Sequence, residues 1–315
     1  MRVAGGIPAL LERLTARDTE ILAELAICRY LRVDQVRRLY FPDASLDRVG
    51  QRMRHLAARG LVRNTRYAVD GLRRYSYWHL TTLGLTLSQE FVPEDIPYHT
   101  EADIRLRPHF LPHCADTAEV RVQLLLLFNA GAMGDHLYLC GPHARLEVEA
   151  QGGQVRRAAA DALVSVKMPW PGVSWTYWIE VDEGTMTRGA MNRKAARIHR
   201  LLELYDRHPD PARSWLQGRY LTLVIICAQE RRRQWLGDAF RAAGFTGQDH
   251  PRVWAMASAA DAARGIAASV REGERRYAEQ QTHRSEEAVG AADNLATGGE
   301  QPIPCDKVQV AQGMN

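Results

Sequence analysis

The sequence predicts a mixed α+β / α/β protein, with an α+β N-terminal part and a larger α/β second part. Three observations support this class. Helix-type apolar spacing dominates about the first 60 residues, two strand-like runs follow, and strands alternate with helices after about residue 117. A chain of 315 residues is long enough for two ordinary domains.

The composition argues against a membrane protein and against a disulfide framework. No apolar run approaches the roughly 20 residues that a membrane span needs, and the N-terminus lacks a signal-peptide pattern. The five cysteines are widely spaced and form no CxxC pair. We therefore expect a cytoplasmic protein with no membrane partner.

Capping signals and apolar spacing predict three helices near the N-terminus. Thr15 and Asp18 resemble a capping box at the start of the first helix. The second helix follows Arg32 and ends before Pro42. The third covers residues 45–59. Its predicted buried stripe consists of Leu46, Val49, Met53 and Leu56.

Two strand-like runs, residues 61–68 and 73–80, come next. The Asp70-Gly71 pair between them is a strong hairpin signal. Three helices and a hairpin in this order predict a winged helix-turn-helix domain over residues 1–92, whose third helix fits the major groove of DNA.

The charge of this N-terminal part predicts a polyanionic partner, double-stranded DNA. Residues 1–90 hold fifteen arginines, no lysine and nine acids, a net charge of +6, while the whole chain carries +4. Arginine and glutamine read base edges, and arginines on the wing contact phosphates. The candidate DNA-binding residues are Ser45, Arg48, Gln51, Arg52, His55, Arg63, Arg66, Arg73 and Arg74. The alternative is a winged helix used for protein contacts, including a homodimer.

The rest of the chain divides into a connection, a layered domain and a tail. Prolines 93, 97 and 108 predict an extended linker over residues 93–115. Alternating strands and helices predict an α/β/α domain over residues 116–271. Residues 272–315 are rich in Gln, Glu, Gly and Ala, so we expect a disordered tail. The expected elements of the layered domain are helices at 117–129, 188–207, 231–243 and 260–271 and strands at 136–140, 144–150, 161–167, 174–182, 221–228 and 252–257.

A hairpin over residues 161–182 is the most informative feature of this second part. Symmetric pairing about its Pro/Gly turn places Ala162 opposite Ile179 and Asp161 opposite Glu180. Opposed carboxylates repel one another, and a divalent cation with oxygen ligands relieves the repulsion.

Alternation along the second strand places Asp182 on the same face as Glu180. The sequence therefore predicts a Mg²⁺ site formed by Asp161, Glu180 and Asp182. The alternative is a solvent-exposed sheet edge whose acids pair with arginines.

Lys194 completes the candidate catalytic set of Asp161, Glu180, Asp182 and Lys194. It lies early in the helix that follows the hairpin, so its ammonium can point back at the acids. Two acids holding Mg²⁺, plus a lysine that orients water or stabilises the phosphate, suit phosphodiester hydrolysis. The alternative is an ordinary solvated lysine.

The sequence resembles the plasmid replication-relaxation family over about residues 10–260. The resemblance is carried by Leu14-Thr-Ala-Arg-Asp18, Asp161-Ala-Leu, Ile179-Glu-Val-Asp-Glu-Gly-Thr185, and Lys194 with Tyr205. It implies a role in plasmid or mobile-element replication or DNA relaxation, and a second domain similar to the PD-(D/E)xK, restriction-endonuclease-like fold. The chain departs from that nuclease motif, because Ala160 stands at the proline position and Asp182 at the lysine position.

Three functions remain open on these grounds. A metal-dependent DNA endonuclease or nicking protein is favoured by Asp161, Glu180 and Lys194. A non-catalytic DNA-binding accessory of replication or transfer is favoured by the missing lysine at position 182. A transcriptional regulator with a nuclease-like fold is favoured by neither feature.

Overall fold

The structure is a computed structural model. It describes residues 10–69, 73–92, 96, 99–100, 103, 106–150, 154–171, 173–207, 221–245 and 252–297. Within these ranges, no helix is long and apolar enough to cross a bilayer. The described residues up to Glu272 form one compact unit, and those from Gly273 onwards form a second.

The N-terminal segment contains the predicted three helices and hairpin in the predicted order. In chain order its elements are helix α1 (Ala16–Cys28), strand β1 (Leu31–Arg32), helix α2 (Val33–Tyr40), helix α3 (Leu46–Ala58), strands β2 (Val62–Val69) and β3 (Arg73–Leu80), and helix α4 (Thr82–Ser88). The three strands form a sheet in the order β1-β3-β2. Strand β1 and helix α4 were not predicted, because elements this short show too little periodicity. The expected Asp70-Gly71 turn lies outside the described residues.

The caps of α1 and α3 explain where these helices begin. The Asp18 carboxylate accepts the Thr15 amide at 2.9 Å, and the Thr15 hydroxyl accepts the Asp18 amide at 3.3 Å, which completes the predicted capping box. Ser45 caps α3 through the Arg48 amide at 3.3 Å.

Three members of the predicted α3 stripe, Val49, Met53 and Leu56, are fully buried, but Leu46 is 48% exposed. Leu46 is the first helical residue, and helical side chains tilt towards the N-terminus, so its side chain projects beyond the packed face.

The second segment is built around a five-stranded mixed sheet in the order β10-β9-β8-β7-β4. Its elements are helix α5 (Leu111–Asn129), strands β4 (His136–Cys140), β5 (Arg145–Ala150), β6 (Gln154–Ala159), β7 (Ala162–Lys167) and β8 (Ser174–Val181), helix α6 (Arg188–Arg207), strand β9 (Leu221–Ile226), helix α7 (Glu230–Ala242), strand β10 (Arg252–Met256) and helix α8 (Ala259–Thr297). Strands β8, β9 and β10 are parallel, while β4, β7 and β8 are antiparallel. Strands β5 and β6 form a separate hairpin.

The β7–β8 register is the predicted one, with Ala162 opposite Ile179. The side chains of neighbouring residues in each strand pack into different hydrophobic cores, because they point to opposite faces of the sheet. Val164 and Ile179 pack with α5 and the first turns of α8, whereas Leu163 and Trp178 pack with α6 and α7. The sheet is therefore buried on both faces, in an α/β/α layer arrangement.

The expected linker over residues 93–115 is partly helical. Helix α5 begins at Leu111, six residues before the predicted start at Thr117. Proline is tolerated in the first turn of a helix, so Pro112 does not prevent α5 from beginning at Leu111. The N-terminal helices and the sheet share one hydrophobic core, so the two expected domains form a single unit. Residues 93–95, 97–98, 101–102 and 104–105 of the expected linker lie outside the described residues.

Helix α8 extends to Thr297, although we expected no fixed structure beyond residue 272. The segment is rich in strong helix formers, and Arg275 pairs with Glu279 at 2.9 Å one turn away. Residues 278–287 are all exposed. The low apolar content agrees with the exposure of residues 278–287, but it did not preclude a solvated helix. Residues 298–315 lie outside the described residues.

A buried ion pair joins α1 to α5. The Arg121 guanidinium donates to both carboxylate oxygens of Glu24, at 2.5 and 3.0 Å, and the two side chains are only 8% and 5% exposed. The Cys28 thiol also donates to Glu24, at 3.1 Å. A buried charge is tolerated only when it is paired, so this contact fixes α1 on α5.

Helix α2 is attached to α5 by further polar contacts. Arg38 donates two hydrogen bonds of 2.6 Å to Glu119, which also accepts one from Gln35 at 2.9 Å. Arg32 donates to Asp116 at 2.8 Å. Arg38 of α2 and Arg32, which immediately precedes the helix, are thus paired with acids of α5.

Replacing Arg121 by Met is expected to lower the free energy of unfolding by about 3–5 kcal/mol, because Glu24 is left buried without its partner. Urea denaturation measures this change. The double variant Glu24→Met/Arg121→Met should regain most of the loss, since neither charge remains. The matched control Arg264→Ala breaks an exposed pair with Asp261 and should unfold like the wild type. Equal stability of Arg121→Met and wild type would contradict the assignment.

Candidate functional site

Asp161 and Glu180 lie side by side on the two central antiparallel strands. Asp161 immediately precedes β7, and its amide donates to the carbonyl of Ile179 at 3.1 Å. Glu180 lies near the end of β8 and is only 4% exposed. The predicted apposition of these two acids therefore agrees with the hydrogen bonding of the strands.

Asp161 is held in its charged form by two donors. His113 Nε2 lies 3.0 Å from Oδ1, and the Val181 amide donates to Oδ2 at 2.8 Å. Burial opposes ionisation, but the hydrogen bond and the charge of His113 outweigh it and lower the pKa of Asp161. For His113, burial likewise opposes protonation, but Asp161 raises its pKa above the ordinary value.

Glu180 has the opposite electrostatic character. Its Oε1 accepts the indole N–H of Trp178 at 2.7 Å, and its Oε2 accepts the ammonium of Lys194. Burial and the charge of Asp161 nevertheless raise the pKa of Glu180 to about 7. Burial disfavours the Lys194 ammonium, but Glu180 and Asp161 outweigh it and raise the pKa of Lys194.

Asp161, Glu180 and Lys194 form the carboxylate–lysine cluster. Lys194 reaches it because it lies in the second turn of α6, whose Met191, Ala195 and Ile198 pack against the sheet. The Lys194 ammonium thus contacts one of the predicted acids and not solvent alone, while its catalytic role stays a prediction. The side chain is 16% exposed.

The structure places Asp182 in a different environment from the one predicted. Its carboxylate is bound by the Arg232 guanidinium from α7, through Nε to one oxygen and through Nη2 to the other at 2.9 Å. The Asp182 amide still donates to the carbonyl of Ile226 at 2.9 Å, but the side chain contacts α7, an element distant in sequence that alternation along β8 does not reveal. This corrects the grouping of Asp182 with the other two acids as catalytic residue and metal ligand.

A cavity of about 300 Å³ lies beside Asp182, at the carboxyl ends of the parallel strands. Its lining includes the carboxylates of Asp116, Glu119, Asp182 and Glu183 and the guanidinium of Arg232. Glu183 Oε1 also lies 4.0 Å from His113 Nδ1. Four of the five charged residues in the described lining are therefore acids, but Asp161, Glu180 and Lys194 are not part of it.

Sequence reasoning missed His113 as a member of this site. His113 belongs to α5, far from the hairpin in sequence, and its ring reaches Asp161 only because α5 packs on the sheet. Its spacing from His109 and Cys114 gave no signal of a contact with an acid.

The predicted DNA-binding residues of α3 divide into two groups. Arg48, Gln51 and His55 are exposed and, together with Arg17, line a cavity of about 580 Å³; we call Arg48, Gln51 and His55 the α3 surface. Ser45 is also exposed, and its hydroxyl caps the helix.

Arg52 is occupied by a structural contact instead. Its guanidinium donates to both carboxylate oxygens of Asp18, at 2.6 Å to Oδ1, and the Asp18 side chain is fully buried. Arg52 therefore joins α3 to α1, but it also lines the same cavity and its side chain is 29% exposed, so its contact with DNA stays a prediction.

The predicted wing residues lie on the β2–β3 pair. Arg63 and Arg66 are exposed on β2, where Arg63 lies opposite His79 and Arg66 opposite Ser76. Arg73 and Arg74 belong to β3, and their side chains lie outside the described part of the structure.

Comparison with known proteins identifies the family. The model of a family described as replication-relaxation matches residues 22–211. No curated protein matches the chain. Among solved structures, the restriction endonuclease FokI is similar over 72% of this chain, with a TM-score of 0.25 and 11% sequence identity. The aligned region spans only 40% of the FokI chain, and so weak a likeness does not define the fold. The family match, by contrast, extends over more than half of the sequence: the chain belongs to the replication-relaxation family.

Proposed function

We propose that this protein binds double-stranded DNA during replication of a plasmid or other mobile element, and that its carboxylate–lysine cluster nicks DNA by Mg²⁺-dependent phosphodiester hydrolysis. Family membership suggests the biological setting. The observation that carries the chemistry is the contact of the Lys194 ammonium with Glu180, beside Asp161. In this proposal, Lys194 of α6 has the function of the lysine that the nuclease motif carries at the position of Asp182.

The donor set of the cluster fits a hard divalent cation. Asp161 and Glu180 offer carboxylate oxygens, which Mg²⁺ prefers. Among the described residues, each of their four oxygens has one hydrogen-bond partner, which leaves each a lone pair for a further ligand. Asp161 is 19% exposed, which gives a hydrated ion access to the pair. Bound there, the cation activates water and stabilises charge on the phosphate.

The residues around the cluster have distinct roles in this proposal. Asp161 and Glu180 hold the cation, and His113 keeps Asp161 ionised at neutral pH. Lys194 brings a fixed positive charge to the position where negative charge develops on the phosphate, which is worth most in a partly buried site.

The N-terminal segment supplies the DNA contact in this proposal, as a winged helix-turn-helix. Helix α3 enters the major groove with Arg48 and Gln51, and strands β2 and β3 form the wing that meets the phosphates. The exposure of the α3 surface supports this assignment, as does the exposure of Arg63 and Arg66.

One observation favours a second candidate, a non-catalytic DNA-binding accessory. Lys194 already neutralises Glu180 through a direct ion pair, and Arg232 does the same for Asp182. The acids thus have internal partners without an ion. The two candidates differ in their response to metal and in DNA cleavage.

Mg²⁺ or Mn²⁺ is expected to raise the melting temperature of the full-length protein and to support conversion of supercoiled plasmid into nicked circles. Asp161→Asn and Glu180→Gln should abolish both effects, because each removes a ligand of the cation. Lys194→Met should retain the metal-dependent stabilisation but slow nicking by about 10²-fold or more. Thermal melting and gel analysis of the plasmid measure the two effects.

The matched control is Asp238→Asn, which removes an exposed carboxylate paired with Arg241 and should retain both effects. Stabilisation by metal without nicking of any DNA form would select the accessory protein. A wild type that shows no metal response would overturn the metal site itself.

Substitutions on α3 and on the wing are expected to affect different properties of DNA binding. Those on α3 should reduce sequence discrimination, and those on the wing should reduce general affinity. After selection of a preferred duplex from a random pool, Arg48→Ala or Gln51→Ala should cost about 1–3 kcal/mol of discrimination for each lost bidentate base contact. Arg63→Ala/Arg66→Ala should flatten the slope of log K against log salt by about two, with the preferred sequence unchanged. Fluorescence anisotropy measures both quantities. Binding that is insensitive to salt in the wild type would refute the DNA-binding proposal.

A further inference from the structure

A groove between α6 and β6 concentrates positive charge away from the α3 surface. Its volume is about 750 Å³, and five arginines line it: Arg156, Arg157, Arg193, Arg197 and Arg200. All five side chains are exposed. We call this feature the arginine groove.

The spacing of the three helical members accounts for one wall of the groove. Arg193, Arg197 and Arg200 are separated by four and three residues, so they form a single stripe along α6. At about 1.5 Å per residue, the stripe is about 10 Å long. The other two arginines are consecutive residues of β6, in the neighbouring β5–β6 hairpin.

Within the described part of the chain, the positive charge of the α6 wall of the groove is not compensated by acids. Among the described residues, Arg193 and Arg197 form no ion pair with a carboxylate. Arg200 donates through Nε to the carbonyl of Ala196, a neutral group, at 3.2 Å. Arg157 pairs with Glu147 at 3.0 Å, but the arginine remains 60% exposed.

Helix α6 links this groove to the carboxylate–lysine cluster. Lys194 points to Glu180, while its neighbour Arg193 lines the groove. Met191 and Ala195 fix the rotation of the helix by packing in the core. One rigid element therefore presents the candidate catalytic lysine and the arginine stripe together.

The geometry points to the phosphate backbone of duplex DNA as the ligand of the arginine groove, and we propose this as a second DNA contact, separate from the α3 surface. Guanidinium groups bind phosphates with paired N–H donors. A stripe of about 10 Å spans about three base-pair rises of 3.4 Å. This inference rests on the proposed action on DNA, which it deepens by placing DNA next to the cluster.

A duplex fits the groove better than an unpaired strand. Proteins that bind single strands usually stack bases on aromatic rings. None of the described side chains that line the groove is aromatic, and its apolar members are Val155, Leu201, Leu204 and Ala196. Recognition by charge along a regular backbone remains the best match.

The test uses the full-length Arg193→Ala/Arg197→Ala variant and a random-sequence duplex. Its slope of log K against log salt should be less steep than that of the wild type by about two, because about 0.9 is lost for each phosphate contact. The loss should add to that of Arg63→Ala/Arg66→Ala, since the two surfaces are separate. Neither arginine has a buried partner in the part of the chain that the structure describes, so the melting temperature should not change.

The matched control is Arg241→Ala/Arg264→Ala, which removes the same charge from exposed helical positions elsewhere. If the groove variant and this control have equal slopes, the arginine groove is not a DNA contact. DNA binding by the α3 surface would be unaffected by that result. A larger loss on single-stranded than on duplex DNA would overturn the assignment to duplex. Failure of the wild type to bind any DNA would instead reject the proposed function, and the groove with it.

Discussion

The buried pair of Arg121 with Glu24 holds the N-terminal helices on α5, and the position of the candidate site depends on the same helix. Arg121 faces α1, while His113, two turns earlier in α5, contacts Asp161 of the sheet. Glu119 of α5 also binds Arg38 of α2. Separation of α1 from α5 would leave charged groups buried without partners, which is costly. The N-terminal segment and the acid cluster are therefore parts of one packed unit, and movement of one independently of the other is disfavoured.

The two central acids have different charge states because their surroundings differ. Asp161 accepts an amide N–H and contacts His113, so it is ionised. Glu180 is more deeply buried and lies beside that negative charge, so its pKa is raised to about 7 even though Lys194 contacts it. When both acids are ionised and His113 is neutral, two carboxylates and one lysine leave the cluster with one excess negative charge, which a protonated His113 would cancel. A divalent cation offsets this excess, which is why we place metal chemistry here and not at Asp182, whose carboxylate has a bidentate partner in Arg232.

Much of this fold could be predicted from the sequence, because local signals determine it. The capping pair Thr15 and Asp18, the apolar stripe of α3 and the β7–β8 register all follow from neighbours in the chain. Lys194 was predictable because it closely follows the acids. Contacts between distant segments were not predictable: His113 with Asp161, Arg232 with Asp182 and Arg52 with Asp18 each join separate elements. An arginine on a polar helix face reads the same in sequence whether it faces DNA or a buried acid, and only the packing distinguishes the two.

The central claim is that Asp161 and Glu180 together hold a divalent cation. The most direct measurement is anomalous X-ray diffraction from crystals of the full-length protein grown with Mn²⁺, compared with crystals of Glu180→Gln. We expect one strong anomalous peak within bonding distance of both carboxylates, at about 2.0–2.2 Å as for other small divalent ions with oxygen ligands, and loss of that peak in the variant. A peak at Asp182 and Glu183, or the absence of any peak at Asp161 and Glu180, would contradict the account.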